Sequence, residues 1–187
     1  MEKIFIVNDF ISEEDSKKII SEINNPSSIN PYPEHYSNRN GGTALPYNGI
    51  VLDVLRRYGN KANQEVKKLF SINSDIYTTK GYSSKWGKGS SGGPHIDDVD
   101  KEPFIEWSTV IYLNEPPEFE GGKIYFPQKG FEYTPVKYSA VIFPQKDISY
   151  IHGITEVTSG ERYTLLFHHS SDIKFADPDL LEVNNES

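Results

Sequence analysis

His95 and Asp97 stand two residues apart in Pro94-His95-Ile96-Asp97-Asp98. On an extended strand residues two apart project to one face, so an imidazole and a carboxylate converge there while Asp98 faces away. One more imidazole would complete a set of two histidines and one carboxylate. That set suits non-haem Fe(II) and leaves neighbouring coordination positions open for a chelating co-substrate and oxygen. Alone, the pair is common by chance and reads first as a surface turn. Among the other histidines, His152 in Tyr150-Ile151-His152-Gly153-Ile154 is the best third ligand, since an imidazole in an apolar strand needs a partner, although a backbone carbonyl would also serve. His168 and His169 close the last strand and read as edge or surface residues, and His35 as solvated.

Arg162 follows His152 by ten residues, at the start of Arg162-Tyr163-Thr164-Leu165-Leu166-Phe167. Ser159-Gly160 predicts a turn that folds this strand back beside that of His152, with Arg162 and Thr164 on one face. A guanidinium in an apolar strand asks for a carboxylate. A dicarboxylate that chelates a metal at one end and meets Arg162 at the other fits, and a rim salt bridge is the plain alternative.

Composition narrows the setting. The chain has 187 residues, 27 acidic and 19 basic side chains, a formal charge of −8 and no cysteine. One domain is expected, without disulfides or thiolate chemistry, and neither nucleic acid nor anionic membrane suits the charge. Met1 to Ile11 is too short and too charged for a signal peptide, and no apolar run reaches the ~18 residues of a membrane span. A soluble cytoplasmic protein, a monomer or weak dimer, is expected.

The elements that must position these residues fall into two groups. Lys3 to Asn8 reads as a strand, and Ser12 caps a helix whose first turn holds Glu13, Glu14 and Asp15 and whose apolar face is Ile19, Ile20 and Ile23. A polar stretch without a period runs from Asn25 to Tyr47. A second helix spans Gly49 to Phe70, with a break signalled at Gly59-Asn60. Six β-rich runs follow: Asp75–Tyr82, Ile105–Leu113, Gly122–Phe126, Ser139–Phe143, Tyr150–Val157 and Arg162–His169. Short strands at this spacing, with no helices between them, predict a mainly β (α+β overall) double-stranded β-helix, or jelly roll, with the N-terminal helices packed against one sheet. The division expected is helical support over 1–72, jelly-roll core over 73–170 and a frayed acidic tail over 171–187.

His95-x-Asp97, His152 and Arg162 together resemble the 2-oxoglutarate/Fe(II) dioxygenases, and their surroundings resemble the prolyl 4-hydroxylase-like branch. Asp9-Phe10-Ile11-Ser12-Glu13-Glu14 is similar to that branch's opening signature. Thr109-Val110-Ile111-Tyr112-Leu113-Asn114 resembles its Tyr-Leu-Asn strand, and Gly121-Gly122-Lys123-Ile124-Tyr125-Phe126-Pro127 its Gly-Gly segment ending in Phe-Pro. The resemblance covers residues 3 to 170. It implies His95, Asp97 and His152 as iron ligands, and Arg162 as the partner of the distal carboxylate of 2-oxoglutarate. The Tyr112 hydroxyl would assist on that carboxylate. Thr164 joins them because it shares the face of Arg162. The family's glycine six residues before the first ligand is present as Gly89, but Trp86 holds its tyrosine position and brings no phenolic hydroxyl. Trp86 therefore either lines the mouth of the site or packs against the rim. With Asp97 in place of the small residue of related halogenases, hydroxylation is implied.

The resemblance further implies Fe(II), 2-oxoglutarate and O2, with ascorbate as reductant, and a proline-containing peptide or protein as substrate. Tyr32, Tyr36, Arg39 and Tyr47 in the polar stretch, and a glycine-rich loop over Ser83–Gly93, could grip such a chain, since aromatic-lined grooves bind polyproline II. Lys80, Lys85 and Lys88 read as a basic patch beside the metal loop, or as solvated charge. Ile111, Ile142 and Phe143 are candidates for the dry wall of the site. A hydroxylase of a small molecule such as a free amino acid, a cupin-like binding module and an assembly protein without turnover are the competing readings.

Overall fold

The computed structural model describes residues 3–25, 37–39, 42–45, 49–97 and 103–181. The order is β1 (Phe5–Val7), α1 (Glu13–Asn24), β2 (Ser37–Arg39), β3 (Gly42–Leu45), α2 (Gly49–Phe70), β4 (Tyr77–Gly87) and β5 (Gly92–His95). There follow β6 (Trp107–Tyr112), β7 (Phe119–Gly121), β8 (Ile124–Phe126), β9 (Phe131–Tyr133), β10 (Ala140–Pro144), β11 (His152–Ile154) and β12 (Val157–Ser170). The larger sheet runs β1-β10-β6-β12-β4-β3-β2 with β7 on β12, and the smaller runs β5-β11-β8-β9. All pairings are antiparallel. The protein is mainly β, with the expected jelly-roll architecture. No helix among the described residues is long and apolar enough to cross a membrane.

Both helices cover one face of the larger sheet. Ser12 accepts the Asp15 N–H at 3.1 Å, and the buried Asp15 carboxylate takes the Arg57 guanidinium and the Tyr58 hydroxyl, each at 2.7 Å, tying α1 to α2. Helix α2 runs unbroken through Gly59, contrary to the break expected there. The glycine marks close approach instead: a Cβ would lie 3.0 Å from Thr78 Oγ1 on β4.

Strand alternation sorts the interior into two layers. Ile111, Leu113, Ala140, Ile142, Leu165 and Phe167 pack with Ile19, Leu55, Ala62 and Val66 between sheet and helices. Val110, Tyr112, Val141 and Phe143 pack with Ile124 and Phe126 between the sheets. Each fully buried Leu, Ile or Phe contributes roughly 1.5–3 kcal/mol over its exposed state. Of the three expected wall residues, only Phe143 faces between the sheets. Ile111 and Ile142 face the helices.

Several boundaries differ from expectation. Ser159-Gly160 makes no turn: β12 is one 14-residue strand in the larger sheet, so Arg162 reaches the interior from the sheet opposite His152. Gly160 has φ +70°, and a Cβ there would meet Glu118 O at 2.2 Å, which marks a distortion beside β7. The stretch read as a loop contains β2 and β3, and β4 continues to Gly87, leaving residues 88–91 between β4 and β5. The tail docks rather than frays over its described part. Phe175 stacks on Phe104 at 4.2 Å, Arg56 Nε donates to Asp179 O at 2.6 Å, and Leu180 joins the helix-side core. His35, Tyr32, Tyr36, Tyr47 and Asp98 lie outside the described residues, and Arg39 is described only as the end of β2.

Candidate active site

Strands β5 and β11 pair with His95 opposite His152, which brings the two rings to 4.6 Å. Strand β5 ends at His95, so Asp97 reaches the histidines from the residues just after the strand. Its Oδ1 lies 3.5 Å from His95 Nε2 and its Oδ2 3.8 Å from His152 Nε2. One donor atom from each of the three falls within 4.8 Å of the others. His95 Nδ1 faces Gly93 O at 2.8 Å and His152 Nδ1 faces Tyr150 O at 3.3 Å. A carbonyl can only accept, so both Nδ1 atoms carry the proton and both Nε2 lone pairs are left for a cation.

The surroundings keep these donors in metal-ready states. Phe143 stands edge-on to His152 at 4.7 Å and Phe126 lies 5.7 Å away. Burial pushes the His152 pKa down to about 4, against the pull of Asp97, so the ring is neutral at pH 7. Burial alone would raise the Asp97 pKa, but the positive charge that His168, His152 and His95 take on when protonated outweighs it and holds the carboxyl well below its ordinary range.

His168 and His169 correct the expectation of edge residues, since they are 3 % and 0 % exposed. They project to opposite faces of β12. His169 goes to the helix side, between Asn63 and Thr109 at 2.8 and 2.9 Å. His168 goes to the site, where Nδ1 lies 2.9 Å from Ser108 Oγ and 3.7 Å from Asp97 Oδ2. Spacing could have placed His168: it is six residues from Arg162, an even number along one strand. Ser108, four before Tyr112, follows the same rule. Gln145 lies just past β10 and carries no such signal.

Arg162 and Tyr112 form the second half of the site. They are 1 % and 0 % exposed, with the guanidinium carbon 5.1 Å from the tyrosine ring centre. Thr164 lies opposite Tyr112 across β6 and opposite Ser84 across β4, and the two hydroxyls of Thr164 and Ser84 are 2.6 Å apart. Gly122, at φ +61°, lets Arg162 pass, because a Cβ would lie 2.7 Å from its Cδ. Arg162 Nε and Nη2 and the Tyr112 hydroxyl have no hydrogen-bond partner among the described residues. Burial raises the Tyr112 pKa to about 12 and lowers that of Arg162, each effect partly offset by the other residue. A sealed guanidinium with two nitrogens to spare is costly unless an anion meets it. The donor set fits a cation, and the orphaned Arg162 and Tyr112 groups fit the far carboxylate of a chelating dicarboxylate.

Trp86 sits opposite Arg162 on β4 and donates from Nε1 to Ser84 Oγ at 3.2 Å. A Cβ at Gly92 of β5 would lie 3.7 Å from its ring, so Trp86 spans the two sheets at this end of the barrel. The three lysines do not form one patch. Lys85 is committed to Glu161 at 2.6 Å and Asn24 at 3.0 Å, beneath the helices, whereas Lys88 is exposed beyond β4.

Two antiparallel sheets of a jelly roll enclose a His-Asp-His cluster and a buried arginine. Residues 81–168 match the model of the 2OG-Fe(II) oxygenase superfamily. No curated protein matches the sequence. The viral collagen prolyl hydroxylase vCPH from Paramecium Bursaria Chlorella virus-1, in its 2OG complex, is similar with TM-score 0.68 and 16% identity, over 90% of this chain and 96% of that one. A Pseudomonas putida prolyl-4-hydroxylase gives 0.67 and 16%, over 91% and 93%. A prolyl hydroxylase from Trichoplax adhaerens, in complex with a hypoxia inducible factor peptide fragment, gives 0.64 and 17%, over 91% and 84%. Residues 81–168 of the chain carry the likeness to the 2OG-Fe(II) oxygenase superfamily, and the chain as a whole shares the fold of these prolyl hydroxylases. It is a dioxygenase of Fe(II) and 2-oxoglutarate.

Proposed function

We propose that the protein hydroxylates a prolyl residue in a peptide or protein, with His95, Asp97 and His152 as the metal ligands and Arg162 as the anchor of 2-oxoglutarate. The observation that carries the site assignment is the buried Arg162–Tyr112 pair with donors to spare, in the same barrel as three converging metal donors. When bound, Fe(II) with 2-oxoglutarate and O2 supplies the oxidation: one oxygen atom enters a substrate C–H bond and the other enters succinate, with release of CO2. Ascorbate would keep the metal reduced.

The chain's own residues supply position and dryness. Arg162 would donate from Nε and Nη2 to the distal carboxylate, the Tyr112 hydroxyl would add a third donor, and Thr164 with Ser84 would border that end. Phe143 and Phe126 keep water from the His152 side. Trp86, between the two sheets, is the described aromatic best placed to meet a substrate, and Tyr36 and Arg39 remain candidates on the segment that precedes β3. The prolyl reading draws on the shared fold of the prolyl hydroxylases above, one of them captured with a peptide.

Incubation with proline-rich peptides, and in parallel with free amino acids, tests the substrate. A mass gain of one oxygen on a peptidyl proline supports the proposal. Oxygen gained only by a free amino acid would put the small-molecule hydroxylase in its place.

A further inference from the structure

The Asp97 carboxylate is held by a set of buried hydrogen-bonding side chains. The Asp97 N–H can only donate, so the Gln145 atom facing it at 3.2 Å is Oε1, and Nε2 turns the other way. From there Nε2 donates to Asp97 Oδ2 at 2.5 Å and to Ser108 Oγ at 2.8 Å. Ser108 Oγ in turn donates to Asp97 Oδ2 at 2.9 Å. A hydroxyl has one proton and two acceptor positions. With its proton on Asp97, Ser108 accepts from Gln145 and from His168 Nδ1–H at 2.9 Å. Ser108, Gln145 and His168 are all buried, and these bonds assign every donor to an acceptor. Oδ2, 3.8 Å from His152 Nε2, thus receives two hydrogen bonds, while Oδ1, 3.5 Å from His95 Nε2, receives none from this set.

We propose that Gln145, Ser108 and His168 are positioning residues that commit Asp97 to bind the metal through Oδ1 alone. The proposal rests on the metal-centre reading above. Carboxylates ligate cations through one oxygen or two. An Asp97 free to rotate would bring Oδ2 to the metal as well, and so would take a position that the chelating co-substrate needs. Outer partners of this kind set the orientation of a ligand and hence the affinity of its site.

The test is Co(II) binding to the full chain, followed by calorimetry and by the visible absorption of bound Co(II), which reports coordination number. Wild type is compared with Gln145→Leu, Ser108→Ala, His168→Phe and Asp97→Ala, and the melting temperature of each metal-free protein is recorded. The three positioning variants should bind Co(II) about 10–100-fold more weakly. Their Co(II) spectrum should differ from wild type before 2-oxoglutarate is added and respond less to its addition. If Ser108→Ala does not fold, Gln145→Leu carries the test, because Gln145 lies outside the strands. Wild-type affinity and spectrum in the variants would overturn the proposal, and so would weaker binding with an unchanged spectrum. Wild type binding no tighter than Asp97→Ala would instead overturn the metal-centre reading, and the positioning role with it.

Discussion

Arg162 and Tyr112 seal each other inside the barrel, guanidinium over phenol at 5.1 Å, with donors that no described residue uses. An enclosed charge without a counter-charge destabilises the empty protein, so binding and stability should trade places here. Arg162→Met should raise the stability of the ligand-free protein by about 1–4 kcal/mol while abolishing 2-oxoglutarate binding. Urea melts and calorimetry on the two proteins check this. A variant that is both less stable and still able to bind would mean that the arginine has a structural partner.

2-Oxoglutarate should stabilise wild type strongly when a metal is present, by about 2.7 kcal/mol at a hundredfold excess over Kd. The same addition should leave the melting temperature of Arg162→Met unchanged. Thermal melts with Co(II) or Mn(II) in place of iron read this without turnover.

Gly122→Ala should separate the two halves of the site. The new Cβ would press on Arg162 at 2.7 Å in a backbone conformation that costs a non-glycine residue about 1–3 kcal/mol. Co-substrate affinity should fall at least tenfold while metal affinity holds. Equal losses of both would show that the segment supports the whole barrel rather than the arginine.

Acid should weaken the fold through His169 before it reaches the carboxylates. Burial lowers the His169 pKa to about 3, with His168 adding to the effect, and Asn63 and Thr109 hold the neutral ring. The unfolded chain takes up a proton near pH 6.5 that the folded chain refuses, so this stability is whole above 6.5. It declines as pH falls toward 3, by roughly 4 kcal/mol at most. Buried neutral His152 acts in the same direction over a narrower range. Asp97, held below its ordinary range, adds a loss that begins only below about pH 4. His169→Gln should flatten the slope of unfolding free energy between pH 4 and 6. An unaltered slope would place the acid sensitivity elsewhere.

The architecture and the outline of the site were legible because both rest on short-range rules. Ser12 with its acidic first turn announced α1, and strand alternation announced two-faced strands that place Tyr112, Arg162 and Thr164 on one side. At Ser159-Gly160 a glycine with positive φ serves a strand distortion as readily as a hairpin, and only the close passage of the Glu118 backbone distinguishes them. The break at Gly59 failed for a related reason: the glycine answers to Thr78, a residue on another element. Histidine at a strand end is commonly exposed, whereas Ser108 and Asp97 hold His168 inside. Gln145 depends on chain 48 residues away from Asp97, and no local pattern reports that.

Succinate formation from 2-oxoglutarate, with Fe(II), O2, ascorbate and a proline-rich peptide, tests the central claim most directly when wild type is run beside Asp97→Ala and Arg162→Met. Wild type should release succinate in step with oxygen gained by the peptide, and both variants should fall to background. Succinate release that survives loss of Asp97, or none from wild type under conditions where it binds metal and 2-oxoglutarate, would contradict the account.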